Sequence, residues 1–562
     1  MKPTLTLLTA LVLAPLAALV APPLHAAETQ PRLSKEERKP RPPAMPPFHK
    51  TSATTNYKCL FNYEGLIFCT LIKDKAPRTS GPEYIGAFID KLKGTDVDAV
   101  MFCPQAWRAN IYPSEIDPQW RKYREGQDSP DYRGFDHIMK YIHAGGDPVQ
   151  EALNASRKNG IDFFISYRMN DAHHIVKPDH PTNTDFWRSH PEYWLGDSNI
   201  SSTFKADEDN VRMHNYMLEP VRDWYFSIFE ELCANYDVDG LELDFQRAPR
   251  FFYNREMAEG KKVMTGFIQR IRVMLDRLGK QRGKSLKLSV RVPETLAKCE
   301  RAGLDVARWD ELGLVDMINI SPYYLESLHV DIEGFKAKTS KAKLYAELNA
   351  YSQVMPVPKG VNASYGDRCR FTALDSYRAA ALNFLSRGAD GLSFFNYDYP
   401  IPHDKRVEAA RGLKGITDTD YLRTLSKTYV MVPFQERLMA ESNKWPKDEF
   451  IADVVIPDDT PKVKFSRAIL RVETLESSTD LNLAVTLNGK LLQPCEYEDT
   501  EFSPPIKTTP HGYPTADKLK FFAVPLSDII PGKNRFEVRN LDKAKSSCGI
   551  YTLELRLCRP GN

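Results

Sequence analysis

The run Val238-Asp239-Gly240-Leu241-Glu242-Leu243-Asp244-Phe245-Gln246-Arg247 constrains this chain more than any other. It follows an amphipathic stretch from about Met217 to Tyr236, with apolar Trp224, Phe226, Phe229, Leu232 and Cys233, which predicts a helix. Asp239-Gly240 is a turn signal, and strict alternation follows. Residues two apart share one face of a strand. Leu241, Leu243 and Phe245 therefore face one way, and Glu242, Asp244 and Gln246 the other. A parallel strand covered by helices should be apolar on both faces, and buried carboxylates are costly unless paired or used. The inside of a (β/α)8 barrel near its C-terminal mouth favours such a face. An edge strand with one wet face is the plainer alternative, but the preceding helix and short turn argue for a βα unit.

The rest of the chain extends that pattern. Strand-like pieces begin at Cys59–Thr70 and recur near 98–103, 161–167, 286–292, 315–320, 344–349 and 392–397, separated mostly by helical runs. The segment from Pro104 to Gly146 reads as a long polar and aromatic loop. From about Lys447 short alternating strands take over (near 463–471, 481–485, 518–524, 535–538 and 551–557), with turns at Asn488-Gly489 and Pro531-Gly532. The expected fold class is α/β: a (β/α)8 TIM barrel over 58–433 followed by a C-terminal β-sandwich over 447–562. A doubly wound sheet would usually carry a Gly-rich phosphate turn after its first strand, and none is present.

At 562 residues the chain is too long for one ordinary domain. Its net charge of +2 gives no bulk field for nucleic acid or anionic membrane. Residues 1–27 read as a secretory signal: Lys2, an apolar run to Val20, and a small-residue cleavage site at Ala26-Ala27. Pro15 and Pro22-Pro23 break that run, so it is too short for a stable membrane span. Residues 28–57 form a Pro-rich basic linker. The expectation is an exported protein, periplasmic or extracellular. The 9 cysteines permit disulfides such as Cys59–Cys69 or Cys548–Cys558 and leave at least one thiol over.

Active residues of barrel enzymes sit at the C-terminal ends of several strands. Those ends carry Arg168, Asn170, Asp171 and His173 on the third strand; Asp244, Gln246 and Arg247 on the fourth; and Arg291 on the fifth, with Glu294 beyond it. The sixth offers Asn319 and Tyr323, the seventh Glu347 and Asn349, the eighth Asn396 and Asp398. Trp107 in the loop after the second strand could stack on a sugar. Each has a dull explanation: Arg247 could neutralise Asp244, and Glu347 could form a core ion pair with Arg291. Together they make a polar cup suited to carbohydrate. Glycoside cleavage needs an acid for the leaving oxygen and a carboxylate for the sugar cation. Asp244 is the expected general acid/base and Glu347 the nucleophile or base; Glu242, one pleat deeper, is expected to be structural or tuning.

Asp239-Gly240-Leu241-Glu242-Leu243-Asp244-Phe245-Gln246 resembles the fourth-strand signature of family 18 glycosidases, D-G-x-D-x-D-x-E. Two positions depart: Glu242 replaces an Asp, and Gln246 replaces the terminal Glu, so an amide stands where that family carries its proton donor. The same stretch, with the Trp224 helix and Gly388-Ala389-Asp390-Gly391 before Phe394-Phe395-Asn396-Tyr397, resembles the glycosyl-hydrolase-like family 10 group of secreted bacterial barrel proteins. That resemblance spans about Cys59 to Pro433 and implies a TIM barrel with glycosidase-like activity. Leu487–Leu491 and Pro531–Phe536 resemble the jelly-roll domains of secreted glycosidases, which implies an accessory domain that binds glycan or packs on the barrel.

Other chemistries find less support. His173-His174 are adjacent and diverge on a strand, no H-x-H or H-E-x-x-H is present, and a zinc site would need His137 or His143 to converge. No metal or cofactor is expected. No G-x-S-x-G marks a serine hydrolase. A barrel that keeps its aromatic loops and binds glycan without cleaving it is the alternative function.

Overall fold

A computed structural model of the chain describes residues 56–64, 82–122, 133–175, 177–196, 212–323, 328–354, 369–397, 410–432, 448–460, 462–474, 477–497, 502, 516–542 and 549–560. Eight parallel strands close into a barrel: β1 (Cys59–Glu64), β2 (Ala99–Cys103), β3 (Asp162–Arg168), β4 (Gly240–Asp244), β5 (Lys287–Pro293), β6 (Met317–Ser321), β7 (Lys343–Asn349) and β8 (Gly391–Phe395). Each pairs with the next in sequence, and β8 pairs with β1. The alternation read from the sequence places one set of side chains inside. Their character changes with height. At the bottom, Leu60, Ala99, Met101, Phe164, Met317 and Tyr345 form an apolar plug with Tyr57. One pleat up, the interior is polar, with Ser166, Glu242, Ser289, Asn319 and Ser393 joined by hydrogen bonds. At the top it is charged.

Gly240 belongs to the plug and not to a turn. It is the first residue of β4, and a Cβ there would run into the Lys287 carbonyl oxygen and the Phe164 ring. Gly391 does the same for Tyr345, whose ring would lie 2.7 Å from an added Cβ. Two large rings fill the bottom of the barrel because the strand beside each has no side chain there.

The bottom rim carries a repeated clamp. Asp98, Asp239, Asp316 and Asp390 each stand just before an even-numbered strand. Their carboxylates accept the N–H groups of Lys58 (2.8 Å), Phe163 (2.8 Å), Leu288 (2.8 Å) and Leu344 (3.0 Å), at the starts of the odd-numbered strands. The backbone N–H of each aspartate returns a bond to the carbonyl of Cys59, Phe163, Leu288 or Leu344. Each clamp thus satisfies strand-end groups that would otherwise be left to water.

The C-terminal region forms two antiparallel sheets. One contains β9 (Lys427–Met431), β11 (Arg467–Thr474), β13 (Leu519–Val524) and β15 (Ile550–Cys558). The other contains β10 (Glu449–Ile456), β12 (Leu483–Leu487) and β14 (Gly532–Asn540). β9 falls inside the 58–433 segment assigned to the barrel, yet it pairs with β15. All five of its residues are buried, so its pattern could not separate barrel from sandwich. The sandwich is fastened to the barrel by buried polar contacts. Arg370 donates twice to Glu473 (2.9 and 3.1 Å), Arg556 to Asp375 (2.7 Å), and Asn383 to the Val455 carbonyl (2.6 Å).

Arg133–His143, read as loop, is a helix burying Phe135, Ile138, Met139 and Ile142. Cys59 is a buried free thiol and Cys558 is buried; Cys69 and Cys548 lie outside the described residues, as do the signal segment and nearly all of the linker. Among the described residues no helix is long and apolar enough to cross a membrane.

The two kinds of glycine separate in a stability measurement. Gly240→Ala should lower the unfolding free energy by roughly 1–3 kcal/mol through overpacking. Gly266→Ala, in the helix Met257–Arg282 with open space around it, should raise it by about 0.5–1 kcal/mol. Urea midpoints that move together would contradict this account.

Candidate active site

The charged top layer is organised by Arg291, whose side chain is completely buried. Its Nη1 donates to Asp244 Oδ1 (2.9 Å). Its Nε and Nη2 donate to Glu347 Oε2 (2.5 Å) and Oε1 (2.8 Å), and Nη2 also reaches Ser321 Oγ (2.9 Å). The guanidinium lies 3.9 Å from the centre of the Phe395 ring. Burial alone would pull its pKa down, but Asp244 and Glu347 more than reverse this and hold it above the ordinary value.

The two candidate carboxylates are engaged differently. Glu347 has no exposed surface and both oxygens are occupied, with Ser321 Oγ donating to Oε1 at 2.6 Å. It forms the core ion pair with Arg291 that its sequence position also allowed. Asp244 takes its hydrogen bonds on one oxygen: Oδ1 accepts from Arg291 and from the Gln246 N–H (2.9 Å). Among the described residues none donates to Oδ2. Gln246 Nε2 donates to the Ser321 carbonyl (2.8 Å), while its buried Oε1 has no hydrogen-bond partner among them. Asn396, at φ 54°, likewise presents a buried, unmatched Oδ1.

A second charged group adjoins the first. Strand register sets Arg168 beside Asp244. Arg168 binds Glu64 and, at 3.1 Å, Asp171 Oδ2; Arg247 approaches Glu64 at 3.4 Å. Burial would raise the Glu64 carboxyl, but the charges of Arg168, Arg247 and His173 prevail and hold it below the usual range. Asp171 is lowered further, because His173 and Arg168 overcome its burial. His173 Nδ1 lies 2.7 Å from Asp171 Oδ1, which also accepts the His173 N–H at 2.8 Å.

Other expected residues are engaged in the scaffold. Asn170 bonds to the His214 and Arg250 carbonyls (3.2 and 2.6 Å) and bridges two loops. Asn319 sits a pleat below Ser321, bonded to Ser393 (3.0 Å). Tyr323, at φ 71°, donates its hydroxyl to the Arg247 carbonyl (3.2 Å). Trp107, at φ 56° and half-buried, turns edge-on to His174. Asp398 lies outside the described residues. The Glu294 carboxylate pairs with Lys298. Glu64 and Ser321 are additions: both end an inward-facing alternation, Leu60-x-Asn62-x-Glu64 and Met317-x-Asn319-x-Ser321. Among the described residues no group of three His, Cys, Asp or Glu could hold a metal ion.

Glu242 is sealed below Asp244, accepting from Ser166 (2.8 Å) and Ser289 (3.0 Å). Burial, aided by the charge of Asp244, raises its pKa to about 7 despite the two hydroxyls and Arg291.

No protein-family model matches the chain, nor does any curated protein. Solved structures resemble it in architecture. An α-L-fucosidase isoenzyme from Paenibacillus thiaminolyticus gives a TM-score of 0.41 at 10% identity, over 67% of this chain and 51% of that one. This chain thus spans about half of the fucosidase's length. A glycoside hydrolase domain from Bordetella bronchiseptica gives 0.41 at 9%, over 64% and 99%. An endo-β-1,4-mannanase from Thermotoga petrophila gives 0.41 at 10%, over 89% and 98%.

The Glu242 environment has a measurable consequence. Its folded pKa lies above the ordinary 4.5. Between about pH 4.5 and 7 the unfolded chain therefore releases a proton that the folded chain keeps, and stability falls as pH rises. Glu242→Gln removes that loss. In urea titrations the variant should gain on the wild type across this window, by roughly 3 kcal/mol above pH 7. Parallel pH curves for the two proteins would sink the assignment.

Proposed function

We propose that this chain is a glycoside hydrolase in which Asp244 Oδ2 faces the sugar. The observation that carries the reading is the asymmetry of Asp244. One oxygen is fixed by Arg291 and a backbone N–H, while the other has no donor among the described residues. A carboxylate braced in this way is suited to stabilise or attack an oxocarbenium-like centre, and not to the proton-donor role its sequence position first suggested. The unmatched oxygens of Gln246 and Asn396 are acceptors for sugar hydroxyls, which are donors, and Trp107 offers an apolar ring 6.5 Å from that of His173. Glu347 holds Arg291 in place and does not meet substrate. The resemblance to glycosyl-hydrolase-like family 10 supports the same reading, and the signal-like N-terminus supports a periplasmic or extracellular site of action.

A second reading has its own observation. Gln246 carries an amide where the family 18 signature carries its acid, which suits a barrel that binds glycan without turnover.

A panel of aryl glycosides and polysaccharides, scored for released phenol and reducing ends, decides between them. The wild type should turn over at least one. Asp244→Ala should abolish that activity, and azide should restore it with a glycosyl azide as product. Glycan binding by the wild type with no turnover across the panel would leave the binding protein in its place.

A further inference from the structure

Resting on the glycosidase reading, we infer that His173 is the general acid and base of this site and that Asp171 is its positioning residue. The argument begins with access. A proton donor to the leaving oxygen has to meet substrate. Asp244 is taken by the anomeric carbon, and the Glu347, Asp171 and Glu64 side chains are 0, 1 and 5% exposed, while His173 is 41% exposed. Glu347, Asp171 and Glu64 are also committed to Arg291 or Arg168.

The imidazole is fixed as an acid/base group needs to be. Asp171 Oδ1 lies 2.7 Å from Nδ1 and 2.8 Å from the His173 backbone nitrogen. Asp171 is itself held by Arg168 at 3.1 Å. Arg108 Nη1 donates to the His173 carbonyl at 3.2 Å, and its Nη2 donates to the Asp171 carbonyl. Backbone and ring are thus tied at three points. Asp171 selects the tautomer with hydrogen on Nδ1, leaving Nε2 to give and take the reacting proton. This is the arrangement of base and orienting carboxylate that proton-transfer catalysis requires.

His173 also stands in the right neighbourhood. It lies five positions beyond Arg168, whose register partner is Asp244. Tyr323 joins the two halves of the site: its hydroxyl donates to the Arg247 carbonyl at 3.2 Å, and Arg291 Nη2 reaches the Tyr323 carbonyl at 3.5 Å. Among the described residues, the charged and titratable groups around His173 are Asp171 and Arg168 from its own segment, Glu64 at the end of β1, Arg108 after β2, and His174.

The steps balance. The Nε2 proton passes to the glycosidic oxygen as its bond to the anomeric carbon breaks. Asp244 Oδ2 bonds to that carbon, and the alcohol leaves. Neutral Nε2 then removes a proton from water, whose oxygen bonds to the anomeric carbon as the Asp244 ester breaks. One water is consumed and both side chains are restored.

The test is a leaving-group series on wild type, His173→Ala, His173→Gln and Asp244→Ala, from dinitrophenyl to unactivated alkyl glycosides. Dinitrophenolate leaves without protonation, so its glycosylation step also reports whether each His173 variant is folded. Loss of the acid should lower kcat/KM by about 10²–10⁴-fold on poor leaving groups, with under a tenth of that loss on dinitrophenyl glycoside. The alkaline limb of the pH profile should vanish in both His173 variants, and Asp171→Asn should shift that limb while retaining part of the rate. An unchanged leaving-group slope and pH profile in both variants, with Asp244→Ala inactive, would overturn the assignment to His173 and leave the hydrolase standing. The same holds for equal loss on every substrate. Wild type without turnover on the whole series removes both.

Discussion

Arg291 is the charge on which the barrel mouth depends. It is fully buried, so it is tolerable only with the carboxylates of Asp244 and Glu347 against it. That requirement sets the geometry of everything beside it. Glu347 is consumed in holding the guanidinium, Ser321 ties the two together, and Phe395 closes one face. Asp244 is left anchored through one oxygen. The asymmetry at the heart of the site is a by-product of neutralising one buried cation.

The vertical order of the interior explains why the mouth can carry so much charge. Apolar side chains seal the bottom, and serines, asparagines and Glu242 form the middle layer. Ser166 and Ser289 flank Glu242 there in register, one on each neighbouring strand. The ion pairs above rest on this floor, so the charged layer borders protein below and the open end of the barrel above. The sandwich is locked to the same scaffold through Glu473 and Arg556. It is therefore a packed part of the structure as well as a second domain.

Much of this was legible in the sequence. The alternation in β4 announced a barrel strand, and the two acids spaced two residues apart announced its inner face. Periodicity reports which face a residue takes but not what it meets across the barrel. The pairing of Arg291 with both acids could be named only as one alternative. Gly240 was read as a turn because the same residue serves turns and close approach, and only the position of Phe164 separates the two. The helix Arg133–His143 carried its signal openly, in Phe135, Ile138, Met139 and Ile142, but charged neighbours and a long aromatic stretch obscured it. Glu64 was hidden because the first strand was read past Gly65. β10 was absent from the strands read in the sequence, although it alternates cleanly from Glu449 to Ile456.

The aspartate clamps lead to one more conclusion. Val97-Asp98, Val238-Asp239, Val315-Asp316 and Ala389-Asp390 mark every second strand, so the barrel is four two-stranded modules set around an axis. Each clamp closes inside its own module, across 40, 76, 28 and 46 residues. Strands buried on both faces carry little in their apolar residues to choose between one alignment and the next. A side chain that grips the backbone N–H at the start of one strand makes that choice instead. Alignment is settled locally within each quarter, and ring closure then has only to join quarters already in phase.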